Sequence, residues 1–396
     1  MKKNKLRWQV VVFTLIRLVL NTVFRMVYPF RGEFEKGLGV SYAQMSRGLG
    51  LRSFLGLFAP LLAVVGDRRG RRTGILFGLA VYVVGLGVVI FWPTFPGFIL
   101  ALVITTLGKF TYDPSVQAYI GDRVAYERRA RVLAVFEYSW SLSYLIGGLV
   151  VGALIARYGW VSPFVLVGVL ALAGILVLRW MLPKEPPQKE VQTALLGNFR
   201  EVFASPTAVI AMVMVLFVGL ANEMINLEFG PWLQDNFGLK LLALGGASAA
   251  LGLSELVGEG VVTLVVDRLG KQRAVGLGLL ANIIAGGLLP IMDANVGLAV
   301  FGLTLFYFSF EFTFVSIVPL ISEILPKARG TMLAFMFASI SLGRVLGAWI
   351  NPGLHQAGFW ASAAATVVFN LCAIAALSRV KMGAAGQVDP PGSWTG

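Results

Sequence analysis

The chain has 396 residues, 57% of them hydrophobic and only 13% charged, whereas a soluble domain carries roughly 25% charge and an apolar share of about 45–50%. That composition excludes an ordinary water-soluble enzyme and points to a polytopic membrane protein. A net charge of +13 would suggest nucleic acid in a soluble chain, but here the basic tracts lie between apolar stretches and act as topology signals, so no nucleic-acid partner is expected.

In chain order, Met1 to Arg7 is basic and runs into a long apolar stretch without a small-residue cleavage site, so it reads as the start of a retained first helix. The apolar stretches that follow are about 20 residues long, the length a spanning helix needs, and that run length selects helices over a barrel. Charge tracts and Gly/Pro turns divide the chain into twelve predicted spans, at 8–30, 42–65, 73–92, 96–120, 131–156, 160–180, 207–233, 241–266, 274–292, 296–323, 330–354 and 358–379. An even count puts both termini on one side. The loops on that side hold 23 of the 33 basic residues, including Arg68, Arg69, Arg71, Arg72, Arg128, Arg129, Lys271 and Lys327, while the opposite loops hold Arg31, Lys36, Arg47, Arg157 and Lys240. The inside-positive rule then makes both termini cytoplasmic in an inner or plasma membrane.

Leu182 to Pro206 is the one long polar interruption. The predicted organisation is an all-α membrane protein with a six-helix half over 1–182, a cytoplasmic linker over 183–206, a second six-helix half over 207–380, a cytoplasmic tail over 381–396, and a central cavity between the halves. The halves are related at a constant offset of 200: Asp67-Arg68-x-Gly70-Arg71 returns as Asp267-Arg268-x-Gly270-Lys271, Arg129 matches Arg329, Gly147 matches Gly347 and Trp160 matches Trp360. One register held over about 90 residues reads as a parallel repeat, an arrangement transporters build around a midplane site.

The tract Gly66-Asp67-Arg68-Arg69-Gly70-Arg71-Arg72 resembles the signature loop of the major facilitator superfamily, G-x-x-x-D-R-x-G-R-[RK], with Ala63 in place of the first Gly. With the weaker second copy at Asp267, Arg268, Gly270 and Lys271, the chain from about Trp8 to Arg379 resembles that superfamily, in a drug/proton-antiporter-like branch. The resemblance implies that Asp67 bridges the halves near Gly330-Thr331, where a helix N-terminus attracts an anion, and so closes a cytoplasmic gate. Arg68 or Arg71 then pairs with Asp122. The plainer alternative is that these are only inside-positive loop charges. Two further family patterns are incomplete: Gly147-Gly148-x-x-x-Gly152-Ala153 lacks the exporters' proline, and Pro183-Lys184-Glu185-Pro186 only faintly matches the sugar porters' linker motif.

Charges inside a spanning helix are costly and face a cavity or a partner. They are Arg17 and Arg25 in the first span, Arg52 in the second, Lys109 and Asp113 in the fourth, Glu137 in the fifth, Glu223 and Glu228 in the seventh, Glu255 and Glu259 in the eighth, Glu311 in the tenth and Arg344 in the eleventh. The third, sixth, ninth and twelfth spans have none, so they belong outside the cavity. One wall is then basic and the other acidic. At 1.5 Å per residue, Glu255, Glu311 and Arg344 lie about 18–22 Å in from a membrane face.

Glu255 and Glu259 are one turn apart and repel if both ionise, so one is a natural proton carrier, or else each is latched by a cation such as Arg52. Arg17, Asn21 and Arg25 form one i, i+4, i+8 stripe, which either binds an anionic substrate group or answers the glutamates. Lys109 and Asp113 read as satisfying each other. The tenth span is dense in aromatics (Phe306, Tyr307, Phe308, Phe310, Phe312, Phe314), most of them packing or lipid-facing and a minority suited to a partly apolar substrate. Cys372 and His355, each the single residue of its kind, exclude a disulfide, a metal cluster and a Cys/His catalytic pair. No cofactor is expected. Gly276-x-Gly278-x-x-Ala281 lies in a predicted span with no strand before it and is not a dinucleotide site. No nucleotide-binding loop occurs, which disfavours an ATP-driven pump.

The expectation is a monomeric, non-enzymatic secondary active transporter for a small amphiphilic organic molecule. Alternating access and proton-coupled export are the expected mode, with partners limited to substrate, protons and lipid. The alternatives are an uncoupled facilitator or importer, or a non-transporting receptor or scaffold.

Overall fold

The structure is a computed structural model and describes residues 3–58, 70–183 and 194–380. Among them every regular element is helical. The helices before the linker are α1 (Lys3–Met26), α2 (Arg31–Leu38), α3 (Tyr42–Phe54), α4 (Arg71–Phe91), α5 (Phe95–Arg123), α6 (Tyr126–Glu137), α7 (Ser139–Leu145), α8 (Gly147–Tyr158) and α9 (Ser162–Met181). Those after it are α10 (Ala194–Ala204), α11 (Pro206–Phe237), α12 (Leu241–Leu269), α13 (Lys271–Leu288), α14 (Val296–Ile324), α15 (Arg329–Ala357) and α16 (Phe359–Leu377). Eleven helical stretches among the described residues are long and apolar enough to cross a membrane. The remaining predicted span, 42–65, begins as α3 and a 3-10 turn, Leu55–Phe58, and continues outside the described residues.

Local chemistry sets the boundaries. Ser41 caps α3 in a reciprocal box with Gln44, and Thr94, Ser205 and Asn295 each accept the backbone N–H three residues on. Gly70 and Gly270 precede α4 and α13 with φ of +88° and +82°, a conformation that favours glycine; both copies of the loop motif need their Gly for this reason.

Three expectations are revised. The first span stops at Met26 and turns through Pro29 into the short helix α2, because proline has no N–H to continue the ladder. The fifth span is three successive helices, interrupted at Tyr138 and Ile146. The polar linker contains α10, which lies against the start of α15: Val202 is buried, and Phe199 and Phe203 meet the Phe335 ring edge-on at 5.1 and 5.2 Å.

Helices before the linker pack chiefly on one another, led by α4 with α5 and α9; those after it do the same, led by α11 with α15 and α16 and by α14 with α12 and α13. The two groups meet where α7 and α8 lie on α12, α3 on α15 and α2 on α11. This seam runs through glycines. A Cβ at Gly252 would lie 2.4 Å from Leu145 N, one at Gly152 2.6 Å from Leu241 O, and one at Gly230 2.4 Å from Tyr28 O. These contacts lie at the centre or in the half of the molecule away from the chain ends, called here the distal half.

Candidate functional site

The seam's centre is an ion pair between the groups. Arg25, at the end of α1, grips Glu255, in the middle of α12, with Nη1 to Oε2 at 2.7 Å and Nη2 to Oε1 at 2.6 Å. Arg25 also donates to the Trp140 carbonyl at 2.9 Å and sits 3.4 Å from the Tyr144 ring centroid. The interruptions of the fifth span explain this reach, because α7 turns carbonyls and rings toward α1. The cation facing Glu255 is therefore Arg25 and not Arg52, the candidate suggested by sequence. Arg52 donates instead to the Phe24 carbonyl at 2.8 Å and to Tyr28 Oη at 2.9 Å.

The expected Arg17–Asn21–Arg25 stripe serves three purposes rather than one. Arg17 pairs with Glu137 at 2.8 Å and Asp113 at 3.3 Å, and Lys109 pairs with Asp113 as expected. Asn21 donates to Ser139 Oγ at 3.4 Å, and only Arg25 crosses the seam. Helical spacing put the three on one face but could not say which neighbouring helix each would meet.

Glu255 and Glu259 also part company. Glu259 has no cation partner among the described residues; its Oε1 accepts from Ser141 Oγ of α7 at 2.7 Å, and its Oε2 is buried without a partner. Glu311, 4% exposed on α14, likewise has an unpartnered Oε2. It sits beside Gly258, where an added Cβ would be 3.5 Å from that of Glu311.

A small cavity opens next to the Arg25–Glu255 pair. Its walls are aromatic (Phe24, Tyr28, Trp140, Tyr144, Tyr307, Phe310) and polar (Asn222, Asn226, Arg344). The space for water centres is ≈ 20 Å³, room for about one water. Tyr28 donates to Glu223 at 3.2 Å; Asn226 donates to Asn222 Oδ1 at 2.7 Å and receives Tyr307 Oη at 2.6 Å. Arg344 Nε is 3.9 Å from Glu223.

A second cluster closes the distal seam. The Tyr42 ring stacks on His355 at 3.6 Å, with the Arg31 guanidinium 3.5 Å from the same ring's centroid. His355 Nδ1 is 2.9 Å from Glu228, and Tyr42 Oη meets Asn351 Oδ1 at 2.5 Å. His355, the chain's single histidine, is thus held in this cluster by Glu228 and Tyr42. Sequence reasoning missed Tyr28, Tyr42, Asn222, Asn226 and Asn351; the i, i+4 spacing of Asn222 and Asn226 on a span already holding Glu223 was the available signal.

At the opposite end, Arg71 Nε pairs with Asp122 at 3.1 Å, and Lys271 pairs with Glu323. Arg72 donates to the Arg179 carbonyl at 2.9 Å, and Gln272 to the Leu377 carbonyl at 3.1 Å. The loop motif and its copy therefore repeat in contacts as well as in sequence. Asp267 and Arg268 are exposed. Gly66, Asp67 and Arg68 lie outside the described residues.

The family model of the Major Facilitator Superfamily matches residues 13–348 and again 211–394. The chain belongs to that superfamily. It is 25% identical over 303 residues to the uncharacterized MFS-type transporter YceJ of Bacillus subtilis (strain 168), covering 76% of this chain and 77% of the relative. It is 23% identical over 377 residues to the inner membrane transport protein YajR of Escherichia coli (strain K12), covering 86% and 79%. Among solved structures, a D-xylose-proton symporter superposes with a TM-score of 0.77 at 18% identity, over 92% of this chain and 96% of that one. An inward-facing bacterial homolog of the lysosomal transporter Spinster gives 0.76 at 17%, over 96% and 95%. This superfamily member is an integral, multi-pass membrane transporter of a small molecule and not an enzyme.

Proposed function

We propose that this transporter works by alternating access between two six-helix halves, twelve spans in all, and couples substrate movement to protons held by Glu259 and Glu311. The observation that carries the reading is the contrast among the buried carboxyls. Glu255 is gripped by Arg25, Asp113 by Lys109 and Arg17, and Glu228 by His355, whereas among the described residues Glu259 and Glu311 form no ion pair and each keeps an oxygen with no partner, as Asp113 Oδ1 also does despite its two cations. A buried carboxyl without a cation sheds its charge by holding a proton. Ser141, the one hydrogen-bond donor to Glu259 among the described residues, sits across the seam, so parting the halves would remove that donor and change the carboxyl's surroundings. Opening and proton release become one event.

Both termini are placed in the cytoplasm, and Asp67 with the Arg71–Asp122 pair is assigned to the gate on that side. The substrate is a small amphiphilic molecule. Export in exchange for protons rests on the antiporter-like resemblance, and net direction follows the gradients of substrate and proton. Infrared difference spectroscopy of the purified protein tests the proton assignment without any substrate. A protonated-carboxyl stretch at neutral pH should shrink in Glu259→Gln and in Glu311→Gln and stay intact in Glu228→Gln, whose carboxylate lies in the distal cluster with His355. A wild-type spectrum without that band would refute it.

A further inference from the structure

The cavity beside Arg25 has an unbalanced set of charges and hydrogen-bonding groups, and the imbalance specifies an occupant. Two buried atoms on its wall lack a partner, Asn222 Nδ2 and Arg344 Nε, and both are donors. The orientation of Asn222 is fixed by its neighbours. Asn226 receives Tyr307 Oη on its oxygen and turns its NH₂ toward Glu223 and the Asn222 oxygen, leaving the Asn222 NH₂ to face the cavity at 2% exposure. Arg344 makes no hydrogen bond among the described residues, and its 3.9 Å approach to Glu223 is too long for one.

The charges agree with the donors. Arg25 and Glu255 neutralise each other. Glu223 alone faces both Arg344 and, through Tyr28, Arg52. Arg17 and Lys109 are balanced by Asp113 and Glu137. With Glu259 and Glu311 protonated, as the preceding reading has them and on which this count rests, the cavity carries one positive charge in excess. A buried excess charge is costly until an opposite charge joins it. Phe24, Trp140 and Phe310 supply flat apolar walls around those donors.

We infer that the central cavity, which holds about one water in this closed arrangement, binds a small organic monoanion with a planar apolar body once the halves part and widen it, its anionic group against Arg344 and the Asn222 amide, which lie on the same helix group and move together. The sign of coupling follows. Protons on Glu259 and Glu311, whose other charged neighbours are Glu255, Glu137 and Arg25, create the excess that attracts the anion. Proton and anion therefore strengthen each other's binding and travel together, the reverse of the exchange that the resemblance implies.

The test is equilibrium dialysis of the purified full-length protein with radiolabelled benzoate, with unlabelled benzamide, benzylamine and acetate as competitors. Benzoate should bind, benzamide and benzylamine should compete poorly, and acetate should compete more weakly than unlabelled benzoate. Arg344→Gln should weaken benzoate about tenfold or more, the loss of a charge-assisted hydrogen bond. Glu223→Gln, which raises the excess charge, should tighten it, and this second variant keeps the test valid if Arg344→Gln does not fold. Preferred binding of benzylamine, or benzoate binding unchanged in both variants, would overturn the inference. Benzoate should also bind more tightly in acid than in alkaline buffer, both chosen above the range where benzoate itself protonates, and Glu259→Gln with Glu311→Gln should flatten that difference. Anion binding that passes the variant tests but ignores pH refutes the proton reading alone; failure of benzoate with the infrared band intact refutes the anion alone.

Discussion

Arg25 and Glu255 are each buried to within a few per cent of full enclosure, come from opposite sides of the seam, and bind through two short hydrogen bonds. Removing one member of such a pair leaves an uncompensated buried charge, a loss of about 3–5 kcal/mol. Glu255→Gln should therefore lower the unfolding midpoint in detergent sharply, and Arg25→Gln added to it should recover most of the loss. Two independent, additive losses would mean that the pair is not a unit. The sequence showed that both residues sit in spans and must face the interior. Their pairing was not legible, because a helical face offers several cations at similar depth and Arg52 was as plausible a partner until the turn at Pro29 set the end of α1. The different partners of Glu255 and Glu259 were equally hidden, since two carboxyls one turn apart on a helix do not say which of them meets a cation.

Between α12 and its partners α7 and α8, the spacing is set by small residues that let backbones touch. Gly252 faces the Leu145 amide and the Ser141 carbonyl so closely that a Cβ has no room, at 2.4 and 2.6 Å, and the obstruction is backbone rather than a side chain that could swing away. Gly252→Val should force α12 off α7, disfavour the distal-closed arrangement and lengthen spin-label distances between the distal ends of α8 and α12. Unchanged distance distributions would show that the seam yields elsewhere. Gly148/Gly152 and Gly343/Gly347 are small-xxx-small pairs, a spacing that reads as close helix packing, and Gly148 and Gly152 do lie on this seam, against Ser248 and Leu241. Gly343 and Gly347 instead pack α15 on α11 within the C-terminal group, against Leu216 and Glu223. A small-residue spacing identifies a close contact without naming the helix on the other side.

For the molecule as a whole, the inside-positive count makes a prediction independent of any substrate. In a Cys372→Ser background, a cysteine at Asn236, exposed at the distal end of α11, should react with an impermeant thiol reagent added outside cells. One at Ser378, exposed after α16, should react only after permeabilisation, and the opposite pattern would invert the topology. Apolar runs of membrane-spanning length determined the membrane setting and most span boundaries to within a few residues, and the loop motif over 66–72 with its copy 200 residues on carried the resemblance to the superfamily. These are properties of the chain's local sequence and of its transfer into lipid, which need no knowledge of what packs where. Tertiary structure alone decided that Arg25 answers Glu255, that Arg17 belongs with Asp113 and Glu137, that Tyr42 and His355 stack across the distal seam, and that Asn222 and Arg344 keep donors to spare. Each depends on which helix faces which, at what rotation and depth. A buried charge or amide must find a partner somewhere, and only the packed helices fix which groups are within about 3 Å of it.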